Sequence, residues 1–147
     1  MRLFNSMIFM FIGSFLIQYV LMPPIMVSNL SYLTNNIGKA YMAIIMSLFM
    51  ILLEVIMHDH HYESFSMKLY IPILISLALF VYLYRKQVAI NDKQYLENMI
   101  EHHSMALLTS EEILNKTDDY NVAKIAKNII QTQTDEIRSM KELVDKK

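Results

Sequence analysis

The feature that most constrains this chain is a set of three apolar runs crowded into its first 84 residues. From Leu3 to Leu53 the only charged side chain is Lys39, whereas from Arg85 onward charges recur every few residues. The first run, Leu3–Met22, carries no charge along its length, and it has the ~20 residues a helix needs to cross ~30 Å of hydrocarbon. The second, Ala40–Met57, holds one acid, Glu54, and the third is Leu69–Tyr84. Tyr70 stands near one end of the third run and Tyr82 and Tyr84 at the other, an interfacial aromatic belt. Lys68 can snorkel at the near end, and Arg85-Lys86 marks the exit into headgroups. So much apolar surface is untenable in water for a chain with so small a polar part. Lipid removes the difficulty, because helices satisfy their own backbone hydrogen bonds there. The expectation is an integral multi-pass membrane protein with the lipid bilayer as its first partner.

Arg2 before the first run invites a signal-peptide reading. The run is long for a signal core, however, and Pro23-Pro24 follows where a small-residue cleavage site belongs. We read it as an uncleaved span, followed by a loop, Ser28–Lys39, rich in Ser and Asn. The membrane domain then covers residues 1–86, with spans at about 3–22, 40–57 and 69–84, and a soluble domain covers 87–147.

In that second domain the periodicity is helical. Leu96, Met99, Ile100, His103, Leu107 and Leu114 recur on one stripe, and Ile125, Ile129, Gln133, Ile137, Met140 and Val144 on another. Between them Asn115–Asn121 is a polar break containing capping residues. This predicts an αα-hairpin with helices at about 92–115 and 120–145, and the fold class is all-α. With 2 Gly and 3 Pro in the whole chain, little opposes helix. One hairpin buries too little alone, so it should dimerise into a four-helix bundle or lie on the membrane part.

Composition narrows the chemistry. There is no Cys, which excludes disulfides, thiolate metal sites and a Cys nucleophile, while Met numbers 13. A soft-metal site here must therefore use thioether and imidazole. A net charge of −1 offers no basic field, and no nucleic-acid partner is expected. No phosphate loop or nucleophile–base pair appears, and Ser110 beside Glu111 and Glu112 reads as helix surface. The chain is not expected to be an enzyme.

The sharpest local feature is Met99-Ile-Glu-His-His-Ser-Met105, which sets Met99 one turn from His102 and His103. Folding the hairpin about a turn near Asp118 brings His103 opposite Gln133, His102 opposite Thr134 and Met99 opposite Ile137. One turn either way adds Glu136 and Met140, which share a stripe with Gln133. Adjacent histidines point about 100° apart, so one of the two should face the cluster fully. By base rate, inward Met99 and Met140 are core fillers. As ligands, they favour copper, Cu(I) especially, over magnesium or calcium, while zinc has little use for Met. The Glu-x-x-His signature of di-iron bundles is absent, since Met99 takes the Glu position relative to His102.

A second candidate lies in the second run. Met42, Met46, Met50, Glu54 and Met57 fall in a sector of about 120° that continues to His58, His60 and His61. An intramembrane acid is a functional hypothesis by default, and a Met stripe leading to histidines could pass a soft cation. The blander reading is helix packing with a polar loop beyond it.

The spacing Met99-Ile-Glu-His-His-Ser-Met-Ala106, with Gln133-x-x-Glu136-Ile137-x-x-Met140 later, resembles the domain-of-unknown-function family 305. The resemblance covers Asp92 to Val144 and implies a ferritin-like, copper-binding helical domain. It also extends to members in which short spans precede that domain. It carries ligand-type positions onto Met99, His102, His103, Gln133, Glu136 and Met140. One departure is Glu101, where the family pattern has Pro.

Three spans put the termini on opposite sides of the membrane. Arg2 and Lys68 fall on one side, and Lys39, Arg85, Lys86 and Lys93 on the other, which by charge counting keeps the C-terminal domain in the cytoplasm. The resemblance implies an exported domain, and we favour that. Two functions stand: a membrane-anchored protein that sequesters or relays copper, or a non-catalytic assembly protein whose hairpin mediates oligomerisation.

Overall fold

The computed structural model of the chain describes residues 3–147, so Arg2, weighed above for orientation, lies outside the described residues. Among the described residues there are five helices and no strand. They are α1 (Leu3–Met26), α2 (Ile37–His61), α3 (Met67–Arg85), α4 (Asp92–Leu114) and α5 (Tyr120–Val144). The first three are long and apolar enough to cross a membrane.

α1 and α2 outrun the expected spans for different reasons. Pro23 cannot donate to the carbonyl four residues back, and its ring would strike that carbonyl. The helix widens to a π turn over Ile17–Leu21, which takes up the mismatch, and resumes as α-helix over Met22–Met26. In α2 nothing between Glu54 and His61 breaks helix, so the histidines read as a loop form its last turn. The chain turns only where Asp59, buried, gathers the next residues back. Asp59 accepts from the Ser66 amide at 2.6 Å, the Ser66 hydroxyl at 2.7 Å and the Ser64 hydroxyl at 3.1 Å.

The chain divides into two compact units. The first joins residues 1–21 to 37–89. Its core is Leu48, Val55, Ile73 and Leu77, with Met7 and Phe11 of α1 packed against it. Ala43 and Ser47 are fully buried on α2, small residues of the kind that let membrane helices approach closely. Ser6 on α1 donates to the Glu54 carboxylate on α2. Outward, the helices present Phe9, Ile12, Phe49, Leu53 and Ile75, all half or more exposed or nearly so. That apolar exterior is consistent with a membrane protein.

The second unit is the hairpin, residues 90–147, together with residues 22–36. The two units part between Ala89 and Ile90. The inclusion of residues 22–36, which take in most of the loop expected over Ser28–Lys39, is new. Asn91 caps α4 by accepting from the Gln94 amide at 2.9 Å, and Asp119 caps α5 by accepting from Asn121 and Val122. At the open end of the hairpin Lys147 hydrogen-bonds Asp92 and its charge holds that carboxyl below the usual range. The core is Ile100, Leu107 and Ile137, and Tyr32 from the loop packs into it beside Ile130, Met140 and Val144. Ser110, read as helix surface, is buried, whereas Glu111 and Glu112 are exposed.

Candidate functional site

The inward stripe of α4 runs through Ile100, Ser104 and Leu107, and His103 sits at its flank, facing α5. There its Nδ1 lies 3.2 Å from Glu136 Oε2. That is an ion-pair distance, but among the described residues this buried nitrogen has no hydrogen-bond partner. Gln133 donates to the same Glu136 oxygen at 3.4 Å. Met140, one turn further along α5, joins His103 and Glu136 in lining a shallow groove of about 430 Å³, with Asp135 and Ser139 at its rim. The folding rule that set His103 opposite Gln133 thus places it within one turn of its actual neighbours.

Not all six expected ligands gather. His102 is exposed, its ring 6.3 Å from that of His103 and tilted by 53°. That is the outcome of a helical step of about 100° between neighbours. Met99 is half-buried one turn earlier and does not line the groove. Among the described residues no group of three or more His, Asp or Glu side chains is placed to share an ion. Besides His103 and Glu136, the groove offers the Met140 thioether. If such a set took a cation, the thioether would favour a soft one such as Cu(I) over zinc, whose sulfur ligands are thiolates.

The second candidate does not assemble within one chain. Met42, Met46 and Met57 are exposed, at 43%, 45% and 67%, so the Met stripe faces away from the core. Met50 and Glu54 are half-buried, and the Glu54 carboxylate is taken by Ser6. His60 is exposed, while the Tyr62 ring lies 4.6 Å from that of His58, tilted by 41°, and 4.8 Å edge-on to that of His61. Asp59, which closes the α2–α3 turn, also lies 3.4 Å from the His58 ring nitrogen.

Glu101 and Ser104 are the residues sequence reasoning missed. Both are buried. Glu101 Oε2 accepts from the Thr34 amide at 3.0 Å and from its hydroxyl at 3.3 Å. Ser104 Oγ accepts from the Ser28 amide at 3.0 Å, and its carbonyl lies 3.3 Å from the same donor. Between these two anchors Tyr32 lies under Lys141, whose Nζ is 4.3 Å from the ring centroid. An available signal was an acid on an otherwise apolar and small-residue stripe.

Residues 80–144 match the family described as "Domain of unknown function (DUF305)". Over 144 residues the chain is 35% identical to "Uncharacterized protein L153" of Acanthamoeba polyphaga mimivirus, covering 97% of this chain and 94% of that one. No solved structure matches.

Proposed function

The chain belongs to the DUF305 family, and from that premise we propose that it is a membrane-anchored, non-catalytic protein that binds copper in its C-terminal hairpin for sequestration or relay. The observation that carries this reading is the buried His103 Nδ1, left without a hydrogen bond 3.2 Å from Glu136. A buried nitrogen without a hydrogen bond costs about 1–3 kcal/mol, and a metal ion held between His103 and Glu136 would satisfy it. His103, Glu136 and Met140 hold the ion, with Gln133 orienting the carboxylate. When bound, the ion would supply a soft, exchangeable binding centre and no bond-making chemistry. Three spans put 22–36 and 90–147 on one face of the bilayer, which accords with their packing as one unit. We place that face on the exported side.

The assembly reading keeps one supporting observation. Ile113, Val122 and Ile125 stay exposed on the hairpin, at 43%, 40% and 59%, as a surface shared between two copies would require. Titrating Cu(I) into the detergent-solubilised full chain against a chromophoric chelator separates the two. His103→Ala and Met140→Leu should each weaken binding at least about tenfold, or ~1.4 kcal/mol. Equal affinity in wild type and the double variant would leave assembly as the function.

A further inference from the structure

The turn of α4 that carries His103 is held from behind by the loop that leads out of the first span. Glu101 and Ser104 lie two residues before and one after His103, and each binds a backbone amide of that loop, Thr34 and Ser28 respectively. The Thr34 hydroxyl adds a third tie, donating to the Glu97 carbonyl one turn earlier at 3.1 Å. All three contacts fall on one helical face within eight residues, and Tyr32 fills the core between them. Each single bond is ordinary. Together they leave α4 little freedom to rotate about its axis, and rotation is the motion that would carry His103 away from Glu136.

We infer that Glu101 and Ser104 are positioning residues of the His103 site, acting through the 28–34 segment to aim the imidazole at α5. The inference rests on the metal reading above. Coupling of this kind is reciprocal: a clasp that tightens metal binding must itself be tightened by the metal, by the same factor. A hairpin cut free of the segment would lose the aim as well as part of its core.

The test uses the full chain in detergent with Cu(I) alone as the probe, and reads affinity together with hydrogen exchange at the Ser28 and Thr34 amides. Ser104→Ala and Glu101→Gln should weaken Cu(I) binding by about three- to tenfold. Cu(I) loading of the wild type should slow exchange at both amides by a similar factor. Leu107→Val serves as the comparison, since it loosens the same core without touching the clasp, and its affinity should stay at the wild-type value. Thr34→Ser keeps both donors and should bind as wild type does. The inference is overturned if Cu(I) binds the wild type tightly while both clasp variants match it and the amide exchange ignores the metal. It is equally overturned if Leu107→Val loses as much affinity as they do, because the effect would then be general loosening. A wild type that does not bind Cu(I) at all removes the metal reading and this inference together.

Discussion

Glu101→Ala is the substitution whose cost the structure defines most closely. The wild-type carboxylate is 4% exposed and accepts both donors of Thr34, at 3.0 and 3.3 Å. A hydrogen bond to a charged group contributes about 1.5–3 kcal/mol, and a buried donor left without its acceptor costs about 1–3 kcal/mol. Part of the second cost is recovered if water reaches the Thr34 amide, so the expected loss is about 3 kcal/mol. Because a membrane chain seldom unfolds reversibly as a whole, local opening is the quantity to follow. Hydrogen exchange at the Thr34 amide should accelerate on the order of a hundredfold, the factor that corresponds to about 3 kcal/mol. The Ser28 amide should follow more weakly, since its own acceptor, Ser104, is intact. Amides in the middle of α2, in the other unit, should not change. Exchange at Thr34 within about threefold of wild type would refute the reasoning, because it would mean that the Ser104 and Glu97 ties and Tyr32 hold the loop without Glu101.

Two further outcomes follow from the backbone. Cysteines placed at positions 33 and 92 should label from one side of the membrane and one at 62 from the other; labelling of 62 and 92 together would refute the three-span arrangement. Ala89 lies at φ 59° in the linker between the units, a left-handed conformation that costs an L residue about 1–2 kcal/mol, so Ala89→Gly should be neutral or stabilising in thermal melts despite the looser unfolded chain, and a loss above about 1 kcal/mol would refute it.

What could be read from the sequence followed the range of the interactions involved. The hairpin helices, expected at about 92–115 and 120–145, run Asp92–Leu114 and Tyr120–Val144, because their caps, Asn91 and Asp119, are set by neighbours two and three residues away. The spans were legible as apolar runs but not in their ends. A π turn lets α1 run on past Pro23 to Met26, and a carboxylate at Asp59 that reaches forward to Ser66 closes the turn after α2; neither leaves a trace in hydrophobic periodicity. The site was legible in part. Helical spacing on two antiparallel helices brings His103 to Gln133 and Glu136, yet the same 100° step turns His102 to solvent.

Glu101 marks the limit of that approach, since its partner lies 67 residues away across two spans. The pattern that this sequence resembles has Pro at that position, which inside a helix fixes φ but removes one backbone hydrogen bond and kinks the turn. Here an acid stands instead, and it anchors the same turn from outside, by binding a loop. The two devices act on one backbone segment, immediately before the histidine pair. A residue that departs from the pattern beside the candidate ligands therefore need not spoil their geometry, provided that the constraint it removes is restored by a contact elsewhere. In this chain the 28–34 loop supplies such a contact, and it packs with the hairpin as one unit.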